Sequence, residues 1–374
     1  MSDGAAPAPR PATTPPMRGR RLLVAALVGL SAVALVPPDA TAHERWFTPK
    51  GPYWDPEWDR LVSLPVLLAL LGGAGVVVLL RTFQRVVDDP LWPRPPFFQR
   101  MEPSVPAILG VQAAITMIFA AANLQLFVPN LELPENALGV LIAGIAIVAG
   151  FSFITGVLTR LGALITIGLL LVGFAVGEWY EVLEQVIFVG IALYLVAVGR
   201  GVVRYGDRRE EGRSALTDLL LPYALPALRI TAGLSVLILG FTEKLLAPEL
   251  GEAFLREYPR FNVAQELGFD WFTDRRFVFA AGIVEATAGF ALISGYLTRV
   301  VILALWIPFN LGIAFLPPQE LIGHLPILAT MYVLLVRGTE GIPPPAANEA
   351  RHSDRAVPPQ RAAATAAPAQ PRAA

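Results

Sequence analysis

The chain contains no cysteine. That excludes disulfides, haem attached through a CxxCH motif, cysteine-ligated iron–sulfur clusters and thiol relays. Redox chemistry here would need a diffusible or borrowed cofactor. Histidine is almost as scarce: His43, His324 and His352 are the only three in 374 residues. They are too few and too scattered for a multi-histidine haem or zinc centre. Charge is short as well. Asp, Glu, Lys and Arg supply 16% of the residues, against roughly 25% in globular chains, and they balance to a formal net charge of −1. No basic face is left over for nucleic acid. The glycines between Gly201 and Gly212 lack the GxxxxGK[ST] order of a phosphate-binding loop.

What the chain has in quantity is apolar sequence, 55% of residues, with a mean hydropathy of +0.56. Continuous apolar runs recur, each long enough at about 1.5 Å per residue to cross a hydrocarbon core of about 30 Å. They do not alternate with period two, which argues against a β-barrel. The fold class expected is an all-α integral membrane protein.

Residues 1–42 read as a Pro/Ala-rich disordered start followed by a signal peptide. Arg18-Gly19-Arg20-Arg21 is the basic region, Leu22–Val36 the apolar one, and Ala40-Thr41-Ala42 the small-x-small cleavage site. Cleavage after Ala42 would leave His43 at the new amino terminus; an uncleaved anchor is the alternative. Residues 43–60 then form an extracytoplasmic segment whose Trp46, Trp54 and Trp58 suit a membrane interface. Nine spans are expected, at 61–80, 106–127, 138–157, 161–176, 182–198, 222–243, 277–296, 300–316 and 321–336. With His43 outside, the loops expected inside (81–105, 200–221 and the disordered tail 339–374 among them) carry twice as many Lys and Arg as those outside. That is the positive-inside bias. It places the chain in the plasma membrane with its mature amino terminus outside and its carboxyl terminus cytoplasmic.

The most specific signal is a duplication. Ala143–Gly199 aligns without gaps onto Gly282–Gly338. Gly150-Phe151 matches Gly289-Phe290, and Gly156-x-Leu158-Thr159-Arg160 matches Gly295-x-Leu297-Thr298-Arg299. Each copy holds four spans, 106–199 and 222–338, the second with an outer loop at 244–276. An even number of spans forces a parallel repeat. The architecture expected is therefore a tandem parallel repeat of two four-helix units plus one extra N-terminal span at 61–80. The in-span glycines read as helix-packing residues, and Arg160 and Arg299 as headgroup anchors at inner turns.

The second copy carries Gly240-Phe241-Thr242-Glu243-Lys244 at the end of its first helix and Glu285-x3-Gly289-x5-Gly295-x2-Thr298-Arg299 in its second. This pattern resembles the DoxX/DoxD-like family of four-helix membrane proteins, clearly over 222–338 and more weakly over 106–199. The resemblance implies a prokaryotic membrane protein. Some members of that family are subunits of a quinone-linked oxidoreductase, which would make quinone the cofactor and another redox or extracytoplasmic subunit the partner.

An ionisable side chain inside a bilayer costs roughly 2.5–3.5 kcal/mol at a span centre unless paired or hydrated, so each is a candidate site. Glu285 lies near mid-span, and Arg229 lies in the inner third of its helix. Trp306 and Asn310 lie on the helix after Glu285. Glu320 and His324 share one helix face at i, i+4, and Lys244 ends its helix at the same outer level. The first copy has Ala146 at the place of Glu285 and Gln185 at the place of His324. The same helices are evidently laid down there without those groups. An outward-opening polar pocket in the second copy is expected, with Glu285 and His324 as proton-transferring groups and Lys244, Asn310, Glu320 and Trp306 around the cofactor. A cleaved His43 also offers two nitrogen donors of the kind copper prefers. Two other readings stay open: a small-solute transporter, which parallel repeats also build, and a non-catalytic scaffold holding an extracytoplasmic partner through loop 244–276.

Overall fold

The computed structural model describes residues 55–199, 215–313 and 318–339, with side chains described for all of these but 215–218, 307, 308 and 310–320. The expected signal peptide, His43 and the Pro/Ala-rich tail lie outside the described residues.

A 3-10 turn at Trp58–Val62 leads into α1 (Leu64–Val87). The helix runs past its expected end at residue 80, because Arg81–Val87 adds nearly two turns with no Gly or Pro to stop it. Short α2 (Phe97–Met101) precedes α3 (Val105–Ala122), which opens on Pro106 at its first turn. A small antiparallel hairpin, β1 (Gln125–Leu126) with β2 (Val128–Glu132), follows. Then come α4 (Ala137–Thr155), α5 (Thr159–Gly173), α6 (Trp179–Glu184) and α7 (Ile187–Val198). The expected span 182–198 is thus divided, since i,i+3 bonds tighten the chain at Gln185 and Val186. The second half holds α8 (Ala215–Leu239), a π-helical segment at Gly240–Leu245, α9 (Pro248–Glu257), α10 (Val263–Glu266), α11 (Asp274–Ser294), α12 (Thr298–Ile313) and α13 (Pro318–Arg337). Helix α8 starts within the expected linker 200–221, and the outer loop 244–276 is largely helical.

Among the described residues, five stretches are long and apolar enough to cross a membrane: Leu64–Val87, Phe97–Ala122, Ala137–Thr155, Leu219–Leu245 and Asp274–Ser294. Thr159–Gly173, Ile187–Val198 and Leu321–Arg337 are apolar but shorter. The outward faces of α1 and α4 expose Leu67, Leu68, Leu71, Val78, Leu79, Leu138, Leu141 and Val148. In water a belt of that size would drive aggregation; lipid tails cover it at no cost. The molecule is a helical membrane protein.

Helices α7 and α13 touch each other at the centre, and each also touches both α3 and α8. Helices α4 and α5 flank them on one side and α11 and α12 on the other, with α1 laid against α11. The extra N-terminal span therefore does not stand alone. Its Gly73 faces the ring of Phe290 so closely that an added Cβ would collide with it. Helices α8 and α11 approach backbone to backbone, where a Cβ on Gly289 would lie 2.7 Å from the Gly233 carbonyl oxygen. Such approaches are what small residues permit between helices in lipid. Gly144 has open space around it instead, so packing does not account for that glycine.

The two ends of the bundle differ. At one end the Glu57 amide donates to the Leu246 carbonyl at 2.9 Å, Tyr180 donates to Asp55 at 3.2 Å, and the rings of Trp58 and Trp179 stack at 5.4 Å. At the other end Arg337 pairs with Glu102 at 3.0 Å, and Thr298 donates to the Thr339 carbonyl at 2.8 Å. Arg299 sits here, but not as the expected headgroup anchor. It is 6% exposed and donates to the carbonyls of Leu91, Pro93, Leu335 and Val336, with its guanidinium 5.0 Å from the Phe98 ring. The last carbonyls of α13 have no intrahelical donors, and a five-donor cation satisfies them better than lipid does.

Candidate functional site

The site grows from the end of α8. After Leu239 the helix widens to π geometry, with the Leu246 amide bonding the Phe241 carbonyl five residues back at 2.8 Å. π-bulges recur at functional sites because they re-aim side chains that a regular helix would point elsewhere. Here they belong to Thr242, Glu243 and Lys244. The turn packs closely on α11 because small residues face it. A Cβ on Gly240 would lie 3.1 Å from the Ala286 amide nitrogen, and one on Gly282 would lie 2.9 Å from the Lys244 Cβ.

Across that contact Lys244 Nζ lies 3.2 Å from Glu285 Oε2. Glu285 also interacts electrostatically with Glu243 and His324. Glu243 is buried, 2% exposed. His324, half-buried on α13, sets its ring edge-on to Phe309 at 5.5 Å. Trp306 of α12 is half-buried and packs on the central core. The structure thus pairs Lys244 with Glu285, while Glu243 and His324 act on Glu285 through charge alone. Asn310 and Glu320 fall within α12 and α13, where their side chains are outside the description. Arg229 is elsewhere: its guanidinium reaches the Ile293 carbonyl at 3.5 Å and fills the space under Gly295, where a Cβ would strike it. Gly295 ends α11 at φ 75°, a conformation that also favours glycine.

Sequence reasoning missed Glu184. This last residue of α6 is 1% exposed. The Thr242 hydroxyl lies 2.6 Å from its Oε1, and Ser235 donates to its backbone carbonyl. Helix α8 therefore grips α6 at two points seven residues apart, on one side of the helix. The signal was a carboxylate two residues into an apolar run, with Gly323 at the matching place in the second half. Glu181, four residues after the hairpin-side loop ends at Gly177, has a plain role: with Glu178 it closes a capping box on α6.

On the other side of the π segment lies a cavity of about 240 Å³ lined by Trp58, Trp179, Tyr180, Leu237, Phe241 and Phe290 among others. Its walls are apolar. Thr242 is part of the lining, with its hydroxyl committed to Glu184.

Above the cavity an ionic cap joins three elements. Arg60 meets Glu249 at 2.9 Å, and Arg275 meets Glu249 at 3.1 Å and Glu252 at 3.2 Å. Burial works against ionisation of Glu249, but the hydrogen bond from Arg60 and the nearby positive charges outweigh it and hold the carboxyl below the usual glutamate range. Among the described residues no group of three or more His, Cys, Asp or Glu is placed to hold a metal ion. The copper reading of His43 lies outside the described residues.

Comparison with protein-family models, with curated proteins and with solved structures finds no match.

Proposed function

We propose that the chain is a DoxX-like plasma-membrane protein: a tandem parallel repeat of two four-helix units with one extra N-terminal span. It would act as the membrane subunit of a quinone-linked oxidoreductase. The observation that carries the reading is the Lys244–Glu285 pair at the π-helical turn, with Glu243 and His324 near enough for their charges to act on Glu285. Reduction of a quinone consumes protons as well as electrons, and a carboxylate beside an imidazole in a low-dielectric site is suited to supplying them. The electrons would come from a separate redox subunit.

The repeat reading draws support from backbone conformation. Gly156 and Gly295 have φ 80° and 75°, Leu158 and Leu297 have 52° and 45°, and Gly199 and Gly338 have 68° and 65°. Each pair falls at the offset at which the two half-sequences align. Leucine rarely takes positive φ, so its occurrence at both matched turns is informative. Packing order agrees as well: α3 meets α4 as α8 meets α11, and α3 meets α13 as α8 meets α7.

One observation favours the scaffold as a second reading. The Arg60, Glu249, Arg275 and Glu252 network orders the cap over 248–276, and Leu267, Phe269 and Trp271 stand exposed on it. Quinone titration of the purified protein in nanodiscs separates the two. E285Q and H324A are each expected to weaken quinone binding by about tenfold or more, the equivalent of one lost charged hydrogen bond. Unchanged affinity in both variants overturns the redox reading.

A further inference from the structure

The cavity beside the π segment is built by four elements. Trp58 of the turn before α1 and Trp179 at the start of α6 form one end of it, their rings stacked at 5.4 Å. Leu183 of α6, Leu237 and Phe241 of α8 and its π extension, and Phe290 of α11 line the rest. Helix α6 belongs to the first half of the chain, and α8 and α11 belong to the second. The cavity therefore sits in the seam between the halves. Trp58 is 41% exposed and Trp179 53%, so its walls reach the surface of the bundle and it is a cleft rather than a sealed void.

Its depth and position are those of one leaflet. Trp58 lies just before the span Leu64–Val87, and Leu246 just after the span Leu219–Leu245. That end is at the membrane boundary, where tryptophans collect. From Leu246 to Leu237 the lining descends nine residues of helix, about 13 Å at about 1.5 Å per residue, against about 15 Å for half of a hydrocarbon core. The walls present no polar surface. The Thr242 hydroxyl is engaged with Glu184 at 2.6 Å, and the Tyr180 hydroxyl with Asp55 at 3.2 Å. Water stays in a cavity when it finds about two to four polar partners, and a polar solute needs partners too. Left empty, the cleft would forfeit dispersion contacts along its whole lining. The fluid beside it at this depth is hydrocarbon.

We propose that the cleft binds one acyl chain of a membrane phospholipid, drawn from the leaflet on the Trp58 side, with the headgroup left at the level of the tryptophans. Walls that recognise only apolar surface take up what is most abundant, and in a bilayer that is the phospholipid chain. The bound chain is shared by α6, α8 and α11 and so joins the two halves at this end. The site is independent of the redox reading, which concerns the Lys244–Glu285 pair across the π segment.

Native mass spectrometry of the full-length protein, released from nanodiscs of palmitoyl-oleoyl phosphatidylethanolamine, tests this. Wild type is expected to keep one phospholipid per chain after the others are stripped by collisional activation. L237W places an indole in the cleft and should lower the retained fraction by about tenfold, the equivalent of about two methylenes turned out of it. L183W fills the cleft from α6 and should do the same, which covers the case that one of the two variants fails to fold. L141W adds the same bulk to the open face of α4 and should keep the lipid. Wild type that retains no phospholipid, or L237W and L183W that retain as much as wild type, overturns the proposal. So does protein purified from native membranes in which the molecule displaced by L237W is an isoprenoid lipid.

Discussion

Lys244 and Glu285 illustrate how far a single contact is worth following. The pair is mostly withdrawn from solvent, with side chains 12% and 28% exposed. Forming such a pair gains little over an apolar substitute, whereas breaking it strands one charge. Lys244→Met should therefore lower stability by about 3 kcal/mol, and the double variant K244M/E285L should recover most of that loss. Thermal unfolding of the four members of the cycle in one detergent measures it. Outside the bundle, Asp89 makes a different kind of pair. Arg94 donates to both of its carboxylate oxygens at 2.6–3.1 Å, and that hydrogen bonding, with the Leu91 amide assisting against burial, holds the Asp89 carboxyl below its ordinary 3.8. A depressed carboxyl stabilises the fold above its unfolded-state value and stops doing so as pH falls through the folded one. Both partners are substantially exposed, so the contribution is no more than about 1 kcal/mol. Wild-type melting temperature should fall slightly faster than that of D89N between about pH 5 and pH 3; parallel curves would show that the pair contributes nothing.

Elements meet in this molecule wherever side chains are missing. Helices α8 and α11 approach through Gly233 and Gly289, and the π turn approaches α11 through Gly240 and Gly282. A methyl group at Gly289 has nowhere to go, since both the Gly233 carbonyl and Leu237 Cβ lie 2.7 Å from its position. G289A is expected to destabilise by about 1–3 kcal/mol, the usual cost of overpacking. G144A meets open space and should stay within about 0.5 kcal/mol of wild type. Chemical or thermal unfolding of the two alanine variants side by side is the measurement. Equal effects would mean that close approach is not what makes Gly289 matter. The π segment itself shows how an element can serve a site. A regular helix through Gly240–Leu245 would advance Glu243 and Lys244 by about 100° per residue. The wider turn slows that advance and lets two adjacent charged residues both find partners on the inner side.

At the scale of the whole molecule, the two ends are closed by different chemistry. One end carries stacked tryptophans and the cap built on Arg60, Glu249 and Arg275. The other is tied by Arg299 and Arg337, which draw the segment after α1, the start of α3 and the end of α13 together. The orientation expected from the charge bias of the loops is readily tested, since the chain has no cysteine of its own. E135C should react with a membrane-impermeant maleimide in intact cells, and D207C should react only after permeabilisation. The reverse pattern would invert the topology and place the cap and the Lys244 end of the bundle in the cytoplasm.

Composition and run length were enough to establish a helical membrane protein, because the cost of burying unsatisfied backbone in lipid leaves few other solutions for long apolar segments. The sequence also singled out Glu285, Lys244 and His324, since an ionisable group in an apolar run stands out by its expense. It left Glu285 to pair with either Arg229 or Lys244, and only the structure decides for Lys244. Lys244 and Glu285 are 41 residues apart, and their pairing depends on a π turn and on two glycines that let α8 and α11 close together. Glu184 was missed and Arg299 misread for the same reason. An isolated polar residue announces a cost, but only the packed structure shows where that cost is met: for Arg299 by the open carbonyls of α13, and for Glu184 by a hydroxyl from the other half of the chain.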